Sequence, residues 1–170
     1  MRFMKKILFL ILALVIAHFS AQTLADSDFE VVDGDSLQTA EKRIRLVGID
    51  APEYFQECED ENGKKYKCGQ AAKAYLQVLI EKGHQNGEKL KCVSEGVDRY
   101  KRNLSVCYIG DLELNFEMVK AGYALAYKSE KYALAEKRAK QRKKGIWQGK
   151  FMRPEIYRAL KREEEKQKNS

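Results

Sequence analysis

Two short stretches of the 170-residue chain hold a suggestive set of polar side chains. In "VVDGDS", Asp33 and Asp35 stand two apart around Gly34. In "IRLVGIDAPE", Arg45, Asp50 and Glu53 surround a corner stiffened by Pro52. Residues two apart on an extended backbone share a face, and glycine lets the chain bend sharply between them. Asp35 and Asp50 can then converge as oxygen ligands for a hard cation. A site with few protein oxygens and several waters suits Ca²⁺ or Mg²⁺. An ordinary turn would explain one acid, because Asp is a common turn residue and Pro fixes φ. It does not explain two carboxylates beside an arginine. Arg45 and Asp50 are five apart, so a regular strand would send them to opposite faces. Their convergence requires a bulge or twist, expected at Gly48.

A third stretch, "DRYKRNLSV", brings Arg102 to the entry of a strand. Arginine matches phosphate oxygens with a planar fork of donors. Two arginines, a divalent cation and a glutamate are sufficient parts for phosphodiester hydrolysis. The cation and arginines would neutralise charge growing on phosphorus, and the glutamate would orient or deprotonate water. Beyond the first 25 residues the chain has one histidine, His84, in a polar loop. Nucleases needing two histidines and multi-histidine zinc sites are therefore excluded. A Ser-His-Asp hydrolase would also have to use His84, and no G-x-S-x-G is present.

The elements that must position these groups follow from pattern. "DFEVVDGDSLQT" predicts two strand segments around Gly34, and "KRIRLVGI" a third strand. "ECEDENGKKYKC" is a polar loop closed by its own cysteines. "GQAAKAYLQVLIEK" has apolar residues at 72, 75, 76, 79 and 80, the spacing of a helix that ends in a loop over 83–87. Strands are predicted over 88–94 and 103–109. Helices follow in "LNFEMVKAG" and "KYALAEKRAKQRKKG", each stopped by glycine. The fold class is α+β. Five strands with a helix between the third and fourth is the order of a five-stranded OB-fold β-barrel, here with about three helices. The charged end "KREEEKQKNS" is expected to fray.

Residues 1–25 read as a secretory signal: a basic start, an apolar run over 7–17, and a small-residue cleavage site at Thr23-Leu24-Ala25. The domain is expected over 26–150, with a charged tail over 151–170. Export, to the periplasm or outside the cell, makes disulfides the default for Cys58, Cys68, Cys92 and Cys107. Of the three possible pairings, Cys58–Cys68 and Cys92–Cys107 give short loops, and the second suits a hairpin. Residues 26–127 hold 14 Lys+Arg against 19 Asp+Glu, whereas 128–170 hold 15 against 6. An acidic body with a basic end suits a protein that holds a cation and meets a polyanion. A monomer with no stable protein partner, and no membrane association after cleavage, is expected.

The chain resembles the staphylococcal nuclease (thermonuclease) family. The matching stretches are "VVDGDS" (31–36), "RLVGIDAPE" (45–53), "CGQAAKAYL" (68–76), "DRYKR" (98–102), "GYALAY" (122–127) and "KKGIW" (143–147), in order across about 29–150. Its cysteines and leader resemble the exported, disulfide-bearing bacterial branch. The resemblance implies Ca²⁺ as cofactor, held by Asp35, Asp50 and the backbone carbonyl of Ala51, with Asp33 behind them. It implies Glu53 as general base, Arg45 and Arg102 as the transition-state arginines, and Tyr127 as a nucleotide contact. The implied reaction is calcium-dependent cleavage of DNA and RNA that leaves 3′-phosphates. The alternative from another class is a non-catalytic OB-fold module that binds nucleic acid or a host surface. Lys101 stands where the family usually has glycine. A left-handed backbone there would cost lysine roughly 1 kcal/mol.

Overall fold

The computed structural model describes residues 29–169, so the leader expected over 1–25 lies outside the described residues. The chain opens with an antiparallel meander of β1 (Glu30–Asp33), β2 (Ser36–Gln38) and β3 (Arg43–Leu46). Side chains alternate across a strand, and here Val31, Leu37, Ile44 and Leu46 are the buried set. A turn at Val47-Gly48 leads into β4 (Ile49–Asp50). β5 (Cys58–Glu59) and β6 (Lys65–Tyr66) pair across the polar loop.

Helix α1 (Cys68–Gln85) buries Cys68, Ala72, Leu76 and Ile80, one residue per turn, and packs on β1. It runs into the segment predicted as a loop, because His84 and Gln85 continue the helix before Gly87 ends it. β7 (Leu90–Val97) and β8 (Asn103–Ile109) form a long hairpin, and β9 (Leu112–Glu113) adds to β8. Next come α2 (Leu114–Lys120), β10 (Leu125–Ala126), which pairs with β4, α3 (Ala133–Gln141) and α4 (Pro154–Lys168). The core joins the buried face of the meander to α1 and α2 through Leu76, Leu114 and Met118.

Two expectations are corrected. The main sheet runs β1-β2-β3-β8-β7 in one open path, with β9 on β8, and no pairing among the described residues closes it into a barrel. β1 is only four residues long and packs on α1, while β7 ends in the exposed run 93–97. Most of the stretch expected to fray is helical: α4 runs to Lys168 and makes a fourth described helix where about three helices were expected. Pro154 at its first turn supplies a preset φ and lacks only an N–H that would be orphaned there anyway.

Cys58 bridges to Cys68 and Cys92 to Cys107, with Cα separations of 5.6 and 4.0 Å. The first bridge ties the loop after Glu53 to the start of α1; the second crosses the β7–β8 hairpin. Loops of this size gain roughly 2–3 kcal/mol each from closure. Reduction is therefore expected to lower the denaturant midpoint while leaving turnover of the still-folded protein close to that of the oxidised form. A denaturation curve and an activity assay on one reduced sample check both halves.

Candidate active site

The site begins with the tight turn between β1 and β2. A Cβ on Gly34 would lie 2.7 Å from the Cβ atoms of Ala51 and Ala72, so only glycine lets this turn sit against both. Asp33 Oδ1 accepts from the Asp35 N–H at 2.9 Å, and the Ala51 N–H donates to Asp35 Oδ2 at 2.7 Å. Asp35 is thereby anchored to the strand that carries Asp50. The second turn is at Gly48, with φ +76°, a region that glycine enters without penalty. It lets β4 fold back so that Asp50 meets Arg45. Buried Asn115 pins this corner: its Nδ2 donates to the carbonyls of Val47 and Ser105 at 2.8 and 3.2 Å, and its Oδ1 accepts from Cys107 N–H at 3.0 Å.

The result is a cluster of charges. Arg45 lies between two buried carboxylates: Nη1 pairs with Asp35 Oδ1, and Nη2 with Asp50 Oδ1 at 2.9 Å. Burial lowers the Arg45 pKa. Asp50 and Asp33 oppose that shift, while the nearby positive charges of Arg102 and Arg158 reinforce it. Glu53 lies on the rim, with its backbone fixed by Gln56: Glu53 N–H donates to Gln56 Oε1 at 3.2 Å and Gln56 N–H to Glu53 O at 2.7 Å. The same Gln56 side chain donates to the Met152 carbonyl at 2.7 Å, which fixes where α4 departs.

Helix α4 then delivers a residue that the sequence reading missed. Arg158 Nη1 donates to Asp50 Oδ1 at 2.9 Å and to Glu53 Oε1 at 2.7 Å, and Nη2 donates to Asp50 Oδ2 at 3.1 Å. Burial alone would lower its pKa, but the bonds to Asp50 and Glu53 outweigh burial and raise it. The signal available beforehand was "RPEIYRALKR", with proline at a helix start, acid in the first turn, and Arg158 and Arg162 one turn apart.

Arg102 lines the same cleft of about 830 Å³ as Asp35, Arg45, Glu53, Tyr127 and Arg158. It does not join the Asp35–Asp50 cluster. Its Nε and Nη2 are both 2.8 Å from Asp98 Oδ2 in its own loop. Asp98 is slightly buried, which works against its charge, but N–H groups of Arg102 and Tyr100 hold its pKa below the usual carboxylate range. Tyr127 is half-buried, its N–H donating to the Gly48 carbonyl at 2.9 Å, with Lys128 over its ring. His84 lies in α1 and does not line the cleft.

The left-handed backbone expected at Lys101 is present, with φ 61°, and Lys101 N–H closes the turn onto the Asp98 carbonyl at 2.9 Å. Lys101→Gly should remove about 1–2 kcal/mol of backbone strain. It should also lose about 0.5–1 kcal/mol through the freer unfolded chain. A small net gain in unfolding free energy is expected. A clear loss would show that the turn holds lysine without strain.

The donor set fits a hard divalent cation better than a soft one. All the converging anions are oxygen acids, and no sulfur or imidazole is among them. Among the described residues no three His, Cys, Asp or Glu side chains form a ready-made ligand group. A cation here would rely on the two aspartates, backbone oxygen and water.

Residues 43–149 match the family described as "Staphylococcal nuclease homologue". An "Uncharacterized endonuclease" of Haemophilus influenzae is 32% identical over 84% of this chain and 79% of its own length. The "Succinoglycan biosynthesis protein ExoI" of Rhizobium meliloti is 32% identical over 69% of this chain, which spans 61% of that protein. A "Thermonuclease" of Staphylococcus intermedius is 28% identical over 69% of this chain and 73% of its own.

Proposed function

Because the chain belongs to the staphylococcal nuclease homologue family, we propose that it is a calcium-dependent nuclease that cleaves DNA and RNA and leaves 3′-phosphates. The observation that carries this reading is the meeting of Asp35, Arg45 and Asp50, joined to Glu53 through Arg158, beside a cleft that Asp35, Arg45, Glu53 and Arg102 all line. The nuclease names of several relatives support it.

Asp35, Asp50 and the Ala51 carbonyl would hold Ca²⁺, with Asp33 steadying Asp35 through its backbone. The bound ion would supply positive charge beside the phosphate. Arg45 and Arg102 would bind the non-bridging oxygens and stabilise the charge that grows on them as phosphorus becomes five-coordinate. Glu53 would take a proton from the attacking water. Water oxygen would bond to phosphorus as the bond to the 5′-oxygen breaks; that oxygen would take a proton from solvent water and leave as a hydroxyl, so phosphate stays on the 3′ side. Tyr127, on the cleft wall, would stack against a nucleotide.

Two disulfides support an exported protein. Among the described residues no helix is long and apolar enough to cross a membrane. The deciding experiment is digestion of plasmid DNA and of RNA in Ca²⁺ and in chelator, with end-group analysis. Ca²⁺-dependent products bearing 3′-phosphate are expected. Binding without cleavage in either condition would sink the reading.

A further inference from the structure

We infer that helix α4 is a wall of the substrate cleft, on which Arg158 and Arg162 grip phosphates of a single-stranded nucleic acid next to the one being cut. The inference rests on the nuclease reading. It concerns a part of the chain beyond the family match, which ends at residue 149.

Arg158 and Arg162 are four apart on one helix and so share a face. Both line the cleft that holds Arg45, Glu53 and Arg102. Arg158 already sits on two carboxylates of the site, at 2.7 Å from Glu53 and 2.9 Å from Asp50. A phosphate entering beside Glu53 offers that guanidinium a similar partner, an oxyanion with two acceptors. The exchange would also leave Glu53 free to receive a proton from water. Arg162, one turn further out, is exposed and pairs with no carboxylate among the described residues. Two of the three acids of this stretch are met by its own lysines, Glu164 by Lys161 and Glu163 by Lys166, each at 2.8 Å.

The rest of the lining matches in sign. Arg43, Arg99, Lys128 and Lys131 belong to it, and the cleft counts eight basic side chains against five acidic ones. Arg45 lies within the field of both Arg102 and Arg158, a crowding of like charges that a polyanion relieves. Tyr100 and Tyr127 also line the cleft; Arg99 and Arg102 lie over the first ring and Lys128 over the second, and a base would stack there by sharing or displacing those cations. A single strand, whose bases can splay onto such rings, suits this cleft better than a closed duplex.

The test is binding of a fluorescein-labelled oligothymidylate 16-mer to the full-length protein in chelator, read by anisotropy across a salt series. Arg162→Ala and Arg158→Gln are compared with Arg153→Ala, an exposed arginine of the same segment that does not line the cleft. Each cleft variant should weaken binding several-fold and flatten the log K against log salt slope by about 0.7, the value for one lost contact to a single strand. Arg153→Ala should leave the slope unchanged. Parallel DNA digestion by the wild type in Ca²⁺ separates the two readings. If wild type cleaves but both cleft variants keep its slope, the inference fails and the nuclease reading stands. Tighter binding by Arg158→Gln would make that arginine a plug and would also overturn it. If wild type neither binds nor cleaves, both fall. Arg162 is exposed, so its variant decides the matter even if Arg158→Gln folds poorly.

Discussion

Asp50→Ala is expected to lose Ca²⁺-stimulated cleavage and to unfold about 3–5 kcal/mol more easily, the usual cost of breaking a buried ion pair from one side. Asp50 is 2% exposed and accepts from both Arg45 and Arg158. The loss falls on the fold as well as on the metal, because Arg45 keeps only Asp35 as a carboxylate partner once Asp50 is gone. Asp50→Asn separates the two effects. It keeps the shape and one acceptor, so its stability loss should be smaller, while Ca²⁺ affinity should fall by more than the ~10–100-fold seen when only outer partners of a metal site are changed. Urea denaturation and calorimetric Ca²⁺ titration read these quantities separately. Full activity of Asp50→Asn in chelator would end the metal hypothesis.

Arg102→Lys should reduce kcat by about 10²–10³-fold, the range for losing one preorganised donor to a developing oxyanion. The change in KM should be smaller. Asp98 holds the Nε–Nη2 edge of the guanidinium and leaves the opposite edge for a phosphate. An ammonium has no second edge, so lysine would either stay on Asp98 or let go of it to reach the substrate. Steady-state kinetics on a defined oligonucleotide measures the split. Wild-type turnover in this variant would mean that the transition-state charge is met elsewhere.

The parts of the molecule that sequence made legible are the local ones. Alternation in "DFEVVDGDSLQT", the turn at Gly34 and the helical spacing before Gly87 depend on near neighbours, and β1, β2 and α1 formed close to where the pattern put them. The bend at Gly48 was also readable, because Arg45 and Asp50 could meet only if the strand broke there. Closure of the sheet was not readable, since it depends on edges that no local pattern describes. Arg158 was hidden for a related reason. Helix formers and Pro154 announce a helix, but its bearing on Glu53 is set by Gln56 holding the Met152 carbonyl, a contact between distant segments. Asn115 has the same character: an ordinary polar residue in sequence, yet it pins the corner between β3 and β4.

β3 and β8 run parallel, with Arg45 opposite Leu104, two residues after Arg102. Strands so paired cannot be joined by a tight turn, and their closure carries the entropy of the whole intervening loop. The β7–β8 hairpin and α1 need no such closure and can form from neighbouring residues. Pairing of this non-local kind comes slowly and late in folding. The two arginines consequently come together only when the topology is complete. A nascent or half-refolded chain carries every residue of the site in a conformation that cannot cut.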